Sequence, residues 1–482
     1  MDSVLKFPTT AQAPLQELKN LFAAQQQAFQ AEMIPSKAVR KDRLRRVELM
    51  TRKYADELAQ TISADFGNRA PQLTMLADTM LVEAAARHAI KHLSSWMRTR
   101  RAPTALYFQP GSNRIMRQPL GVVGVIAPWN YPYQLALAPA VGALAAGNRV
   151  LIKPSELTPR FAALLQKMVA EFFRSDEMAV VTGDAEVGRA FSELPFDHLL
   201  FTGSTQVGRL VAQAAARNLT PVTLELGGKS PVLVHSSAEI EETAARVAHG
   251  KLFNAGQTCV APDYVFVPKD KLQEFIDAFK RATVRMFPRI ANNPDYTSII
   301  SERHYQRLRS LLDDAHAHGA QVIEINPEHE TLDPAARMLA PTLVLGATDE
   351  MRILQEEIFG PLLPVLTYDK LEQALDYINR HERPLALYFM GSDMRARDHV
   401  LSNTIAGGVT VNDCIWHFGQ EDVPTGGVGP SGMGAYHGEY GFLTFSKQKP
   451  VFQQPWLNGM FLLRPPYGPR FAMLSKVLKK LI

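Results

Sequence analysis

A reactive cysteine needs a backbone that another molecule can approach, and Phe253-Asn254-Ala255-Gly256-Gln257-Thr258-Cys259-Val260 offers one. Cys259 is one of only two cysteines in 482 residues, so any thiol chemistry rests on very few positions. It follows Gly256 closely, has no bulky apolar residue directly before it, and strand-like apolar runs flank the segment on both sides. A lone cysteine can equally be a small, packed hydrophobe, inert because it is buried. Two further side chains suit carbonyl chemistry. Asn130, in Pro128-Trp129-Asn130-Tyr131-Pro132, carries an amide able to donate to a developing oxyanion, a role worth roughly 3 kcal/mol where a donor has been removed elsewhere. It can also simply cap the helix that follows. Glu225, in Leu224-Glu225-Leu226-Gly227-Gly228, is a carboxylate inside an apolar strand end, costly unless paired or raised in pKa. A general base and a buried salt bridge both fit.

Three more segments suit a nucleotide. Phe201-Thr202-Gly203-Ser204-Thr205-Gln206-Val207-Gly208 reads as strand, glycine turn and helix start, where free N–H groups can hold a pyrophosphate. It is neither G-x-G-x-x-G nor a Walker A motif, because Arg209 follows Gly208. Gly228-Lys229-Ser230 resembles the end of a Walker A, but position 223 is Thr, which disfavours an NTPase. Lys153 and Glu156, in Ile152-Lys153-Pro154-Ser155-Glu156, suit the hydroxyls of a ribose or form a solvated pair at a helix start. Glu357, in Gln355-Glu356-Glu357-Ile358-Phe359-Gly360-Pro361, can serve a second ribose or be a helix-end charge. H-E-x-x-H, zinc-type Cys/His spacing and G-x-S-x-G are all missing from the sequence, and no metal site is expected; His316-Ala317-His318 reads as an exposed helix face.

The elements that must position these groups follow from apolar spacing. Residues from about Leu15 to Met97 read as helices, with Val47, Met50, Tyr54 and Leu58 on one face, and Pro103 ends that block. Ala105–Phe108 and Arg114–Arg117 flank a Pro-Gly-Ser-Asn turn, a hairpin signature. Then strands and helices alternate: Gly121–Pro128, a helix from about Tyr133 to Ala146, Arg149–Lys153, a helix opened by Pro159, Val180-Val181, His198–Phe201, a helix from about Thr205 to Ala216, and Val222–Leu226. A second alternating series runs from Pro231–Val234 to Gly408–Val411. Continuous apolar strands between helices predict two open α/β domains built on parallel, doubly wound sheets. No internal repeat or low-complexity stretch stands out.

The totals exclude several classes. A net charge of +4 spread along the chain does not imply nucleic-acid binding. Two cysteines cannot build a disulfide framework, so a reducing compartment fits. The Met1–Pro8 run lacks the apolar core of a signal peptide, and the apolar stretch Leu135–Ala146 is too short to span a bilayer. A cytoplasmic protein is expected. At the other end, Phe471, Leu474, Leu478 and Leu481 recur at helical spacing opposite Lys476, Lys479 and Lys480, a basic amphipathic pattern that can meet an anionic membrane surface or a partner subunit.

Taken together, Pro128-Trp129-Asn130, Lys153-Pro154-Ser155-Glu156, Phe201–Thr205, Leu224–Lys229, Gly256–Cys259 and Glu357–Pro361 resemble the aldehyde dehydrogenase superfamily in order and spacing, over about residues 15 to 452. Gly426–Gly434, leading to Phe445-Ser446-Lys447, and the short N-terminus look like its class 3 branch. Tyr436-His437-Gly438 and Pro465-Pro466-Tyr467-Gly468 look like the bacterial coniferyl aldehyde dehydrogenases. The resemblance implies NAD(P)-dependent oxidation of an aldehyde, aromatic and coniferyl-like, to its carboxylate through a cysteine thioester hydrolysed by water. Medium- or long-chain aliphatic aldehydes, a CoA-acylating reaction and an inactive structural homologue are the alternatives. It implies Cys259 as nucleophile, Asn130 and the Cys259 N–H as oxyanion donors, and Glu225 as base. NAD, with NADP weaker, would be held by Trp129, Lys153, Glu156, Gly203, Ser204, Gly208, Glu357 and Phe359. The substrate would meet Tyr131, Phe253, Ile415, Trp416 and Phe418. The implied architecture assigns 1–103 and 121–227 to the cofactor domain, 228–425 to the catalytic domain, 104–120 and 426–452 to a small β oligomerisation element of a homodimer, and 453–482 to a tail.

Overall fold

The computed structural model describes residues 12–481; the Met1–Pro8 run and the Leu481 side chain lie outside what it describes. Two open α/β sheets carry the chain, as the alternation predicts. The first has six strands in the order Gly432–Met433, Val222–Glu225, His198–Thr202, Val122–Ile126, Arg149–Lys153, Met178–Val180, all parallel except the first. Helices cover both faces. On one, the helices Lys37–Phe66, Met80–Trp96 and Pro132–Ala146 bury Leu44, Val47, Met50 and Leu58 against Val123, Val125 and Ile152. Chain order reverses about Val122–Ile126, whose neighbours are the later strand His198–Thr202 and the next strand Arg149–Lys153. Ligands of open sheets gather at the carboxyl ends of strands beside such a reversal. Asn130, Gly203, Glu225 and Lys153 all come from those ends.

The second sheet has seven strands, in the order Gln321–Glu324, Thr342–Leu345, Leu362–Tyr368, Tyr264–Pro268, Pro231–Val234, Ala386–Met390, Gly408–Val411, antiparallel only at its first edge. A third sheet is small: Arg100–Ala102, Ser112–Pro119 and Ser446–Gln453, all antiparallel.

Three local expectations need correction. The Ala105–Phe108 arm of the expected hairpin is a single 3-10 turn, Leu106–Phe108. Prolines at 103 and 110 bracket it, Thr104 Oγ1 accepts from Asn113 N at 3.1 Å, and the strand partner comes instead from Arg100–Ala102. The run before Cys259 is the helix Ile240–Leu252 rather than a strand. Glu239 caps it with bonds from the N–H groups of Glu241 and Glu242, a helix start that apolar content alone does not announce. Within 426–452 the chain divides: Gly432–Met433 joins the edge of the six-stranded sheet, Gly438–Thr444 is helical, and Ser446 onward joins the small sheet.

The tail forms the helix Pro469–Leu481 with Phe471, Leu474 and Leu478 half-buried and its lysines exposed, as the spacing predicts. No described helix is long and apolar enough to cross a membrane.

Candidate active site

The loop that carries Cys259 is shaped by three consecutive left-handed residues, Asn254 (φ 53°), Ala255 (φ 51°) and Gly256 (φ 75°). A side chain is strained in that region, on the order of 1–3 kcal/mol, so two non-glycine residues there must be held by their surroundings. Gln257 does most of the holding. Its Nε2 donates to Asn254 O and Ser298 O, both at 3.1 Å, while its Oε1 accepts from Ile300 N at 3.0 Å. Position 256 must be glycine for a second reason: a Cβ there would sit 2.2 Å from Gly360 O. The loop thereby presents Cys259 half-buried on the wall of a cavity of about 650 Å³. Burial, with the Glu357 and Glu225 carboxylates adding to it, pushes the thiol up to about 12.

Asn130 shares that wall. Its Nδ2 donates to Gln257 O at 3.2 Å, which leaves one amide hydrogen for a ligand. Its carbonyl accepts from Asn254 Nδ2 at 3.2 Å, so the two loops are laced together, and Tyr131 OH shares a 2.6 Å hydrogen bond with Thr258 Oγ1. Asn130 does not cap the next helix; Asp78 does, accepting from Tyr133 N and Gln134 N.

Glu225 ends the strand Val222–Glu225, is 3% exposed, and faces the same cavity. Neither carboxylate oxygen has a hydrogen-bond partner among the described residues. Burial raises its pKa well above the ordinary value. The salt-bridge alternative is therefore excluded among the described residues, and what remains is a buried, unpaired carboxyl group on the cavity wall.

A third carboxyl group, Glu357, is raised to about 7, by burial first and by Asp263 second. Lys229 pins its segment: Nζ contacts Asp263 and donates to Ile353 O at 2.8 Å and Glu356 O at 2.9 Å. Asp263 in turn accepts from Ile358 N at 2.9 Å. Phe359, at φ 53°, turns its ring to Trp129 at 5.4 Å, edge to face.

A cysteine, an amide donor and an unpaired carboxyl group on one cavity wall, beside a nucleotide-type sheet reversal, can add to a carbonyl carbon, hold its oxygen and take a proton from water. The aldehyde dehydrogenase family model matches residues 6–451. The chain belongs to the aldehyde dehydrogenase family.

Its relatives agree in detail. The chain is 49% identical over 443 residues to a coniferyl aldehyde dehydrogenase of Pseudomonas sp. strain HR199, covering 91% of this chain and 92% of that one. A substrate-bound Staphylococcus aureus AldH superposes with TM-score 0.90 at 36% identity, covering 96% of this chain and 99% of its own. An indole-3-acetaldehyde dehydrogenase of P. syringae, solved with NAD+, gives TM-score 0.83 at 25% identity, over 92% and 89%. This aldehyde dehydrogenase is thus an NAD(P)-dependent oxidoreductase acting on an aldehyde.

Not every expected residue lies in the aldehyde dehydrogenase cavity. Trp129, Gly203, Ser204, Glu357 and Phe359 line it, with Asn130, Glu225 and Cys259. Gly208 does not: it lies in the helix Thr205–Ala216 packed on Leu226, where a Cβ would meet Leu226 Cδ2 at 2.6 Å. Lys153 is buried and bonds Glu156 at 3.0 Å, and both stand outside the lining. Among the expected substrate residues, Tyr131 clusters with Phe253 and Phe418, and the Tyr131 and Phe253 rings stack at 6.3 Å. Ile415 is buried in the cluster against which Phe253, Phe418 and Cys259 pack. Trp416 is 51% exposed and stacks on His249, placing it at an outer rim. The sequence reading missed Arg69 and Asp78, Gln257 as a brace, and Lys229–Asp263 as a clamp. A lone arginine just before Pro71 and an aspartate in an apolar helical run were the available signals.

Proposed function

We propose that Cys259 adds to the aldehyde carbonyl while the Asn130 amide and the Cys259 N–H hold the oxygen. After hydride loss the acyl group remains on sulfur as a thioester, and Glu225 takes the proton of the water that hydrolyses it. The observation that carries this reading is the Glu225 carboxylate, buried without a partner on the wall it shares with Cys259 and Asn130. Transfer of the acyl group to CoA would need no such base, which favours water as the acceptor.

The site's own features suit a nicotinamide dinucleotide. Gly203 and Ser204 bring the N-terminus of a twelve-residue helix to the cavity, and a Cβ at Gly227 would fall 2.2 Å from Glu357 Oε2, so that backbone must stay bare. When bound, the dinucleotide supplies the hydride acceptor. We assign Glu357 to its nicotinamide ribose, Phe359 and Trp129 to the ring side, and Lys153 with Glu156 to the adenosine ribose. The Glu156 carboxylate repels a 2′-phosphate and the adjacent Lys153 offsets part of that, so NAD is preferred over NADP.

For the substrate, the aromatic cluster of Tyr131, Phe253 and Phe418, which packs next to Cys259 without lining that cavity, favours a planar phenylpropenal such as coniferyl aldehyde, which gains by stacking. Reduced-cofactor absorbance over coniferyl, benzoic and medium-chain aldehydes, with NAD and NADP in parallel, tests the assignment. Coniferyl aldehyde with NAD should give the highest kcat/KM, and Trp416→Ala should raise KM for aromatic aldehydes more than for acetaldehyde. A best rate with an aliphatic aldehyde, or equal efficiency with NADP, overturns the matching part.

The small sheet supports a homodimer contact. Phe452 on it, Leu106 in the turn between two of its strands, and Phe461 and Tyr467 beyond it expose large apolar side chains. Sedimentation velocity should show a dimer for the full chain and for a chain lacking residues 465–482. A monomeric full chain refutes this, and tail-dependent co-sedimentation with anionic liposomes would assign the tail to a membrane surface.

A further inference from the structure

Arg69 and Asp78 form an ion pair with both side chains fully enclosed, Nη2 to Oδ2 at 2.7 Å. Desolvating two charges can cost more than their attraction returns, so stability alone is a weak reason for such a pair. Its remaining bonds show what it holds. Arg69 Nη1 donates to Asn130 O at 3.1 Å. Asp78 Oδ1 accepts from Tyr133 N at 3.1 Å and from Gln134 N at 3.0 Å, in the first turn of the helix Pro132–Ala146. The guanidinium lies 5.2 Å over the ring of Tyr131, whose hydroxyl reaches Thr258 beside the nucleophile. From Asn130 to Gln134, only Pro132 escapes the pair, and Pro132 has no N–H to give.

The placement of Asp78 points the same way. It lies in one π-helical turn, Met75–Thr79, inserted between the α-helical stretches Pro71–Thr74 and Met80–Trp96. Such wide turns are poor in stability and concentrate at functional sites. Here the turn delivers a carboxylate to the start of another helix.

We propose that Arg69 and Asp78 are positioning residues for aldehyde activation, acting through Asn130. The pair fixes the Asn130 main chain, and with it the angle at which the amide, one hydrogen of which is free, meets the cysteine loop on the cavity wall. This rests on the reading of Asn130 as an oxyanion donor. The side chain itself donates only one hydrogen bond, at 3.2 Å, so its aim depends on the backbone beneath it.

Single-turnover reduction of NAD, counted per cofactor-binding site, tests this in Arg69→Lys, Asp78→Asn, Asn130→Ala and the double variant Arg69→Lys/Asn130→Ala. Lysine keeps the charge but not the fork that reaches Asp78 and Asn130 together. Arg69→Lys should slow the chemical step roughly 10- to 100-fold, the scale of a small misplacement of a reacting group, with the NAD dissociation constant unchanged. On the Asn130→Ala background the same change should cost less than about threefold, because coupled residues are not additive. Asp78→Asn, which keeps an oxygen for the two N–H groups, serves if the lysine variant does not fold. Wild-type rates in both variants, or a full additional loss on top of Asn130→Ala, overturn the role and leave the pair merely structural. Asn130→Ala at the wild-type rate would instead sink the donor reading on which it rests.

Discussion

Cys259→Ala is expected to lose aldehyde oxidation by about 10⁶-fold in kcat, the scale seen when a covalent nucleophile is deleted from a hydrolase. NAD should bind as before, because the sulfur is the only covalent participant and the cofactor side of the cavity rests on other groups. The thiol's environment makes a second measurement informative. Burial and two carboxyl groups push Cys259 up to about 12, so alkylation of the apo-enzyme by iodoacetamide should be slow at neutral pH and rise steadily into the alkaline range. The sign for stability follows from the same shift. The folded thiol holds its proton above pH 9, where the unfolded one loses it, so the folded state is progressively destabilised as pH rises from 9 towards 12. Cys259→Ala removes that dependence. Substantial turnover in the alanine variant would take the nucleophile away from Cys259.

The strands and most helices were legible because period and punctuation agreed. The helix Thr205–Ala216 matches its expected span, with Ser204 accepting from Val207 N as its cap. Asn130 stood out as an amide where a strand ends and Glu225 as a charge that is expensive inside an apolar strand end, and both line the cavity. What the sequence left open was their partners. Only the fold shows that Glu225 has no counter-ion among the described residues and that Asn130 bonds across to Gln257 rather than capping its own helix. Long-range contacts of this kind carry no local signal: Arg69 meets Asn130 across 61 positions, and Lys229 meets Glu356 across 127. Gly208 shows the reverse failure. A glycine in a phosphate-type turn is also the glycine that lets a helix approach Leu226, and spacing alone cannot separate the two. The Leu106–Phe108 turn failed for a third reason: an aromatic run has strand propensity, but between these prolines Phe108 N and Gln109 N donate back to Ala105 O and Leu106 O and close it into a turn.

Glu225→Gln should separate the two halves of the reaction. Acylation should leave one equivalent of reduced cofactor per site as a burst, and the thioester should then hydrolyse about 10²- to 10⁴-fold more slowly, the range for losing a general base. An unchanged steady-state rate would mean that another group activates the water. In the unaltered enzyme, the deacylation rate should climb with pH as the buried carboxyl group, raised well above 4.5, gives up its proton; the glutamine variant should lack that limb. The same burial predicts an opposite effect on stability. Because the folded pKa lies above the unfolded one, the wild-type fold is unpenalised at acid pH. It loses stability as pH rises from 4.5 through the raised value, where an unpaired charge must be kept out of water. Glutamine carries no charge at any pH. Thermal denaturation should therefore give Glu225→Gln a higher Tm than wild type at pH 9 and a similar one at pH 4. A variant that is slower in deacylation and more stable only in alkali would show that this carboxylate is kept unpaired, at a cost to the fold, for the water it must activate.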